Sequence, residues 1–390
     1  MRRRARTYVV ILSTVLSVVT AEVVLRGFFP RRTAEALAGI YPAMFDDSDV
    51  MPYRLRPSYS GPLKSTEYDT RINVNSLGYR GSAFALDKGA ARRLLVIGDS
   101  FTFGWGVNDD ETYPALLQRR LAARVPSEPI EVINAGFAAG YSPDTYYLYQ
   151  KNEGLTLRPD AIVVGLYVGN DLDSDKAFEN EWPETDRNGL PLRIRNLDSH
   201  VVDHFLIPRH IPVRYRTPVL SRLHLYQGLF DIWWEIAPRI KSWLPDSVAT
   251  TGDAGSQPPG AEEQVPFNYR LRYADRTQKV FARVRSLLAG MQELASRQGI
   301  PIYFMVIPQQ LQMSTEAFPN LPADIERPQK ELAAFFDERG MRYLDLLPWL
   351  RQQSEGRDVY YPADGHFNVL GNQLTAERLS DFLEEVWLTK

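Results

Sequence analysis

The sequence contains no cysteine among its 390 residues. This absence excludes disulfide scaffolds, cysteine nucleophiles, cysteine-ligated zinc and iron–sulfur clusters. The chain also lacks an excess of charge of either sign, because 45 basic and 48 acidic side chains give a net charge of −3. A nearly neutral chain offers no electrostatic basis for binding DNA or RNA, so we expect no nucleic-acid partner. Glycine and proline, at 25 and 27 residues, are too few and too scattered for a collagen-like or low-complexity chain.

The N-terminus combines a basic start with a long apolar run. Four arginines, at positions 2, 3, 4 and 6, precede a run from Tyr8 to Leu25 that approaches the roughly 20 residues needed to span a bilayer. Glu22 interrupts this run four residues before Arg26, close enough along a helix to pair with it. The pattern predicts a signal anchor over residues 1–29 that places the protein in the cell (inner) membrane as a single-pass protein. By the positive-inside rule, the remaining chain is then periplasmic.

An alternative for this segment is a cleaved signal peptide. The small residues of Val19-Thr20-Ala21 form an acceptable cleavage site, and cleavage there would release a secreted protein whose first residue is Glu22. A buried core helix is a third interpretation of this segment, and the sequence leaves all three open.

Short apolar runs alternate with segments of helical spacing through most of the chain, which predicts an α/β fold with a parallel sheet and helices on both faces. The predicted strands are 94–97, 130–133, 161–168, 301–307 and 342–346, and the predicted helices are 113–125, 145–155, 275–297, 329–339 and 371–387.

Two regions depart from this alternation. Residues 30–90 form a polar segment with one predicted strand at 70–74, and residues 178–270 form an insertion that holds Trp182, Trp233, Trp234 and Trp243. We expect these tryptophans to form a small core of their own. The alternatives are a lid that stacks on a glycan and a contact with the membrane interface. His200 and His204 lie four residues apart in the insertion, but the region is broken by proline and has no H-E-x-x-H motif, so we expect no metal site there.

Polar and glycine residues follow the predicted strands at their C-terminal ends, where the catalytic and binding residues of such sheets lie. They are Gly98-Asp99-Ser100, then Asn134-Ala135-Gly136 with Gly140, then Gly169-Asn170-Asp171, and finally Asp364-Gly365-His366. A serine becomes a nucleophile when a base takes its proton, a third group orients the base and donors face the developing oxyanion. Ser100 can supply the nucleophile, His366 the base and Asp364 the group that orients the base. Thr102 stands where the G-x-S-x-G elbow of lipases has its second glycine.

These blocks resemble the SGNH (GDSL-type) hydrolase superfamily, which is named for its Ser, Gly, Asn and His. The blocks 75–81 and 104–107, which read NSLGYRG and GWGV, are similar to a membrane-anchored bacterial branch related to polysaccharide O-acetyl esterases and O-acetyltransferases. The resemblance covers about residues 91–177 and 275–388. It implies a hydrolase domain over 91–388, interrupted at 178–270, with the flavodoxin-like three-layer α/β/α sandwich and its mainly parallel central sheet.

The resemblance also implies the roles of the site residues. Ser100 is the nucleophile, His366 the base and Asp364 its orienting acid, while the Ser100 and Gly140 N–H groups and Asn170 form the oxyanion hole. The family spaces its pair Asp-x-x-His, whereas here Asp364 is one residue closer, so a backbone carbonyl is an alternative partner for His366. Gly136 is the alternative to Gly140.

The implied function is a serine esterase that hydrolyses acyl esters, O-acetyl groups above all, on a carbohydrate through an acyl-enzyme. Its partners are an acylated carbohydrate or small ester substrate and the membrane. The chemistry needs no cofactor and no metal. Two alternatives remain: an O-acetyltransferase of polysaccharide modification, and a non-catalytic anchored binding protein of the same fold. Fold alone does not separate these alternatives.

Overall fold

The computed structural model describes residues 2–28, 41–172, 184–194, 199–208, 223–226, 229, 266, 269–270, 275–314 and 323–389. The chain divides into two compact units. The first comprises Met1–Ala43 with Leu197–Gln257, and the second comprises Met44–Asn196 with Pro258–Lys390. The four tryptophans of the predicted insertion core lie outside the described residues.

The strands are, in chain order, β1 (Phe45–Asp46), β2 (Arg54–Leu55), β3 (Ser60–Lys64), β4 (Asp69–Asn73), β5 (Arg92–Gly98), β6 (Ile130–Gly136), β7 (Ala161–Tyr167), β8 (Ser199–Val202), β9 (Phe205–Pro208), β10 (Ile302–Ile307) and β11 (Arg342–Asp345). The α-helices are α1 (Arg2–Phe28), α2 (Ser100–Phe103), α3 (Tyr113–Arg124), α4 (Pro143–Asn152), α5 (Asp275–Ser296), α6 (Arg327–Glu338), α7 (Leu347–Gln353) and α8 (Val369–Leu383). Short 3₁₀ turns lie at Asp109–Glu111, Gly154–Leu157 and Gln310–Met313, and a π turn at Glu384–Leu388 follows α8.

Five strands form one parallel sheet in the order β6-β5-β7-β10-β11. The inner strands are buried along their whole length, β10 without exception and β5 and β7 except at one end residue, as expected for a sheet covered on both faces. The predicted α/β fold with a parallel central sheet is confirmed. Counted from β5, the order is 2-1-3-4-5, the flavodoxin-like arrangement of doubly wound sheets.

The two faces of the sheet carry different helices. Leu94 and Val96 belong to a buried cluster with Leu117 of α3 and Leu379 of α8. On the opposite face, Phe304 stacks on Phe336 of α6 with ring centroids 5.1 Å apart. Alternate residues of a strand point to opposite faces, so the sheet is the middle layer of a three-layer α/β/α sandwich.

The chain leaves β5 for β6 on one side and later adds β7 on the other side, so the strand order reverses between β5 and β7. Ligands of doubly wound folds bind at such a switch point, outside the C-terminal ends of the strands. Ser100 follows β5 and Asn170 follows β7. The topology therefore places both residues at the crevice that this fold uses for binding.

Residues 44–81, which we call the pre-sheet segment, belong to the same compact unit as the sheet. In it, β1 pairs with β2, and β3 pairs with β4 as an antiparallel hairpin in which Ser60 lies opposite Asn73. The predicted strand at 70–74 corresponds to β4. β3 contains Gly61 and Pro62, two residue types that are uncommon in strands, which explains why sequence pattern alone did not single it out.

The first unit contains α1, whose stretch Arg6–Gly27 is long and apolar enough to cross a membrane and fits both an anchor and a signal sequence. The predicted Glu22–Arg26 pair is present, with Nε and Oε1 2.8 Å apart. Glu22 also accepts hydrogen bonds from the backbone N–H groups of His224 and Leu225, both at 2.9 Å. The single acidic side chain of this apolar stretch is therefore fully engaged with donors.

Candidate active site

Ser100 is the first residue of the short helix α2, directly after β5. Asp99 caps this helix, because its Oδ1 accepts the Phe101 N–H at 2.9 Å, and Gly104 ends it in the left-handed conformation with φ of 86°. Two glycines, which have no Cβ, allow α2 to pack against the C-terminal ends of β5 and β6. A Cβ on Gly98 would fall 2.0 Å from the Thr102 hydroxyl, and a Cβ on Gly136 would fall 2.1 Å from the Phe103 nitrogen.

Ser100, His366 and Asp364 form a continuous hydrogen-bonded chain. The Ser100 Oγ lies 2.7 Å from His366 Nε2, and His366 Nδ1 lies 2.5 Å from Asp364 Oδ1. The partner of His366 Nδ1 is therefore the Asp364 carboxylate and not a backbone carbonyl, which was the alternative. Ser100 is 8% exposed, and the other two side chains are partly buried. Since a carboxylate accepts only, Nδ1 carries the proton and the Nε2 lone pair faces the serine hydroxyl.

A tight turn brings Asp364 and His366 together although one residue separates them. Gly365 adopts φ of 81°, a left-handed conformation that side-chain-bearing residues rarely adopt. The turn is closed by backbone bonds of Tyr361, whose N–H donates to the His366 carbonyl and whose carbonyl accepts the Gly365 N–H, both at 2.8 Å. The shortened Asp-x-His spacing is thus accommodated by the glycine between the two residues.

The carboxylate of Asp364 has a second partner that the sequence did not reveal. The Tyr68 hydroxyl donates to Asp364 Oδ2 at 2.9 Å, and Glu67 accepts the backbone N–H of Asp364 at 2.8 Å. Burial raises the pKa of Asp364, but the hydrogen bond and charge of His366, together with the Tyr68 hydrogen bond, outweigh burial and hold that pKa below its usual range. Burial and the neighbouring Asp364 raise the pKa of Tyr68. Asp364 is therefore ionised, and Tyr68 is a neutral donor.

Backbone N–H groups of Ser100 and Gly140 have no hydrogen-bond partner among the residues that the structure describes. Gly140 has φ of 65° and is exposed. Gly136, the alternative, donates its N–H to the side chain of Asn134 at 2.9 Å and ends β6. Of the two glycines, Gly140 is the one whose donor is available to a substrate.

The loop that carries Gly140 is held by Tyr53 of the pre-sheet segment. The Tyr53 hydroxyl donates to the Ala139 carbonyl at 2.6 Å and accepts the Ala139 N–H at 2.7 Å. The Tyr141 hydroxyl in turn donates to the Tyr53 carbonyl at 2.6 Å. One phenol therefore fixes both polar groups of the residue that precedes Gly140.

Asn170 lies in the turn after β7 and donates its side-chain amide to Asp99 Oδ2 at 2.9 Å. Its carbonyl oxygen Oδ1 is buried and has no partner among the described residues. Asp171 faces away from this group, because its carboxylate accepts from the Tyr167 N–H at 2.9 Å and from the Tyr146 hydroxyl at 3.0 Å. Asp99 thus joins the nucleophile turn to Asn170, while Asp171 stabilises the turn after β7.

Arg80 is a buried cation, 3% exposed, at the C-terminal end of α2. Its guanidinium donates to the carbonyls of Phe103 at 2.9 Å, Gly104 at 2.5 Å and Val107 at 2.6 Å, and to the carboxylate of Asp109 at 2.9 Å. The last carbonyls of a helix have no partner within the helix, and a planar guanidinium with five donors can bind several of them together. Arg80 therefore stabilises the C-terminal end of α2.

Sequence reasoning identified Ser100, His366, Asp364, Asn170 and Gly140, and the structure brings the first three into one hydrogen-bonded chain and joins Asn170 to the turn before Ser100. It missed the supporting residues Tyr53, Glu67, Tyr68 and Arg80. The NSLGYRG block, which ends just after Arg80, was a signal for one of them. Among the described residues, no group of three or more His, Asp or Glu side chains is arranged to hold a metal ion.

A serine, a histidine and a carboxylate joined in this order at the C-terminal edge of a parallel sheet are typical of a serine hydrolase. The chain matches the model of the GDSL-like Lipase/Acylhydrolase family over residues 96–374 and belongs to that family. It is a serine hydrolase. A search of curated proteins found no match.

Several solved structures are similar to this chain at low sequence identity. A putative lipolytic protein of the G-D-S-L family from Desulfitobacterium hafniense DCB-2 is 14% identical, with a TM-score of 0.37 over 75% of this chain and 99% of that one. The lipase/acylhydrolase from Enterococcus faecalis is 16% identical, with a TM-score of 0.39 over 76% and 96%. The acetyl xylan esterase AlAXEase is 14% identical, with a TM-score of 0.38 over 74% and 98%. The family assignment comes from the family match and not from these structures, whose TM-scores are low.

Proposed function

We propose that the protein is a serine esterase that cleaves acyl esters through an acyl-enzyme on Ser100. The observation that carries this proposal is the chain from Ser100 Oγ to His366 and from His366 to Asp364, at 2.7 and 2.5 Å. In the first half-reaction, Ser100 Oγ attacks the ester carbonyl and its proton passes to His366 Nε2. The tetrahedral intermediate then collapses, the bond to the alcohol oxygen breaks, and the alcohol leaves with the proton from His366.

The second half-reaction releases the acyl group. A water molecule gives a proton to His366 Nε2 and attacks the acyl carbonyl, and collapse of the second tetrahedral intermediate returns the proton to Ser100 Oγ. The carboxylate of Asp364 holds the imidazole in the required tautomer and stabilises the imidazolium that forms in each half. Its lowered pKa favours the ionised form that this role needs.

The N–H groups of Ser100 and Gly140, with the Asn170 side chain, are the proposed oxyanion donors. The two N–H groups have no partner among the described residues and are therefore available to a substrate. Asp99 holds one N–H of the Asn170 amide, and the amide has a second N–H to offer.

The proposed substrate is an O-acetyl ester on a carbohydrate, which the resemblance of the NSLGYRG and GWGV blocks implies. Hydrolysis uses water as the acceptor, whereas an O-acetyltransferase would use a sugar hydroxyl on the same acyl-enzyme. Mass spectrometry of mono- and oligosaccharide acceptors, incubated with the enzyme and an acetyl donor, separates the two. Acetylated sugar indicates transfer, and acetate alone indicates hydrolysis.

The proposed location is the cell membrane, with α1 as a single-pass anchor and the hydrolase outside the cytoplasm. The arginines before the apolar stretch and the engaged Glu22 support retention of this helix. The full chain is then expected to remain in the membrane pellet after carbonate extraction. A mature protein that begins at Glu22 would instead show signal cleavage and secretion.

The deciding experiment compares Ser100→Ala, His366→Ala and the double variant for hydrolysis of p-nitrophenyl acetate and for labelling by a fluorophosphonate. We expect each single variant to lose about the same activity and the double variant to lose no more, because members of one catalytic unit are not additive. Ser296→Ala, which removes an exposed serine hydroxyl at the end of α5, is the matched control and is expected to retain activity.

Activity that survives Ser100→Ala would refute the proposal. A protein that neither turns over esters nor reacts with the fluorophosphonate would be the anchored binding protein instead. A further large loss in the double variant would show that Ser100 and His366 act independently.

A further inference from the structure

The two oxygens of the Asp364 carboxylate have different partners. Oδ1 faces His366 Nδ1 at 2.5 Å, and Oδ2 accepts the Tyr68 hydroxyl at 2.9 Å. A carboxylate is planar, so a bond to one oxygen fixes the direction in which the other points. We infer that Tyr68 is a positioning residue of the catalytic site, whose hydroxyl holds the Asp364 carboxylate in the orientation that His366 requires. This inference rests on the proposed function and extends it to the pre-sheet segment.

The direction of the Tyr68 hydrogen bond is fixed by a second residue. Trp105 Nε1 lies 2.8 Å from the Tyr68 hydroxyl oxygen, and an indole nitrogen only donates. The phenol therefore accepts from Trp105 and gives its own proton to Asp364. Tyr68 is 7% exposed and Trp105 is 2% exposed, so water has little access with which to replace either bond.

The backbone around Asp364 is held from the same side. The Glu67 carboxylate accepts the N–H of Ala363 at 3.0 Å and that of Asp364 at 2.8 Å. Glu67 and Tyr68 belong to the turn between β3 and β4, where Ser65 Oγ accepts the Glu67 N–H at 3.0 Å. Two adjacent residues of one hairpin turn thus hold the backbone and the side chain of Asp364.

The need for this support follows from the position of Asp364 in the chain. Asp364 and His366 share a tight loop turn whose middle residue is a left-handed glycine, and neither residue belongs to a strand or an α-helix. A catalytic group on a loop stays in place when neighbouring residues pack against it and hydrogen-bond to it. The hairpin turn makes these contacts through Tyr68 and Glu67. The tight turn of Asp364 and His366 does not hold the carboxylate by itself.

Loss of the Tyr68 hydroxyl has a defined effect on the pH profile. Among the described residues, the charged and titratable groups around Asp364 are His366 and Tyr361 from its own loop, and Tyr68 and Glu67 from the hairpin turn. A hydrogen bond donated to the charged form lowers a carboxyl pKa, so its removal raises the pKa of Asp364. With less of its negative charge taken up by a donor, the ionised Asp364 favours the imidazolium more strongly. His366 is then lost as a base at a higher pH, so the acid limb of the activity profile moves to higher pH in Tyr68→Phe.

The experiment uses the full chain in detergent micelles with p-nitrophenyl acetate as substrate. Tyr68→Phe is expected to lower kcat about 10- to 100-fold, the range for a hydrogen bond to a charged group, with KM unchanged. Tyr303→Phe is the matched control. Tyr303 is a buried tyrosine of β10 whose hydroxyl donates to the Val386 carbonyl at 3.0 Å, so kcat and the acid limb are expected to stay as in the wild type.

A double-mutant cycle separates positioning from general packing. If Tyr68 acts through Asp364, then adding Tyr68→Phe to Asp364→Ala costs no further activity. Replacement of Tyr68 by 3-fluorotyrosine keeps the shape and gives a stronger donor, so it is expected to move the acid limb to lower pH. This measurement also decides the matter if Tyr68→Phe does not fold.

Additive losses in the cycle, or a Tyr68→Phe variant with wild-type kcat and an unmoved acid limb, would overturn the inference. An acid limb that fluorotyrosine leaves in place would do the same. These outcomes differ from failure of the proposed function, which would show as activity that survives Ser100→Ala.

Discussion

Asn170 and Asp99 are joined across the switch point of the sheet, since the Asn170 amide donates to Asp99 Oδ2 at 2.9 Å. The other oxygen of Asp99 caps the helix that begins with Ser100. One carboxylate therefore sets the position of the nucleophile turn and of a proposed oxyanion donor together. We interpret Asp99 as a positioning residue that places both groups.

Replacement of Asn170 tests the oxyanion assignment. Removal of one such donor costs about 10²- to 10³-fold in turnover, so Asn170→Ala is expected to lose that much kcat while fluorophosphonate still labels Ser100 slowly. Asn152→Ala is the control. Among the described residues, the Asn152 side chain makes one hydrogen bond, to the Leu148 carbonyl within α4. Wild-type turnover in Asn170→Ala would make Asn170 a turn residue and nothing more.

Two glycine substitutions distinguish the candidates for the second oxyanion donor. Gly140→Ala meets no atom within 4 Å, so we expect a folded protein that loses kcat because the strained residue displaces its N–H. Gly136→Ala would place a Cβ 2.1 Å from the Phe103 nitrogen and is expected to displace α2 and lower the melting temperature.

Gly340→Ala controls for backbone strain alone, since Gly340 has φ of 63° and open space around it, close to the situation of Gly140. Its kcat is expected to be unchanged. Equal kcat for Gly140→Ala and Gly340→Ala would remove Gly140 from the oxyanion hole.

Arg80 offers a test of stability. Arg80→Met removes the guanidinium donor of the Phe103, Gly104 and Val107 carbonyls and one partner of Asp109, which keeps its hydrogen bonds from Asn73. We expect the loss of these buried bonds to cost about 1 to 3 kcal/mol in the free energy of unfolding. Arg80→Lys is expected to recover only part of this, because an ammonium cannot reproduce the planar five-donor geometry. Urea unfolding followed by circular dichroism measures both. Arg71→Met, which removes an exposed arginine of β4, should change stability by no more than about 0.5 kcal/mol. Full recovery in Arg80→Lys would mean that charge alone matters here.

The raised pKa of Asp345 predicts that the stability of the fold depends on pH. Asp345 ends β11, and burial raises its pKa to about 6, with a smaller raising contribution from Glu326, against the lowering effect of the hydrogen bond from the Leu347 N–H. An acid whose folded pKa is raised stabilises the fold below its unfolded pKa, and this contribution is lost as pH rises through about 6.

Asp345→Asn keeps an oxygen for the Leu347 N–H and cannot ionise. We therefore expect equal stability at pH about 4 and a variant about 1 to 3 kcal/mol more stable than the wild type at pH about 8. Urea unfolding at the two pH values measures this difference. Asp337→Asn, which removes an exposed carboxylate of α6, should show no such dependence on pH. An unchanged Asp345→Asn at the higher pH would contradict the prediction.

The sheet and the chain of Ser100, His366 and Asp364 were predictable because they depend on local signals. Buried parallel strands are continuous apolar runs, and working residues follow their C-terminal ends in a known order. Tyr53, Tyr68 and Arg80 carry no such signal. Tyr53 bonds to a residue 86 positions away and Tyr68 to one 296 positions away, from a stretch without helical or strand periodicity. Contacts of that kind are determined by the assembled tertiary structure.

The partner of His366 shows the same limit. The shortened spacing left a backbone carbonyl open as an alternative, because spacing alone does not give the direction of a side chain. The left-handed Gly365 turns the Asp364 carboxylate toward Nδ1, and a backbone conformation of that kind is not encoded in a spacing rule.

The bond between Tyr68 and Asp364 also has a consequence for how the enzyme matures. The 296 positions between the two residues make this one of the longest loops that folding has to close, and such non-local contacts form late. During synthesis the hairpin turn emerges early and lacks its partner until residue 364 has been made. A nascent chain that ends before this point contains Ser100 without its histidine, and the proposed nucleophile gains an oriented base only when residues 364–366 have been made and folded against it.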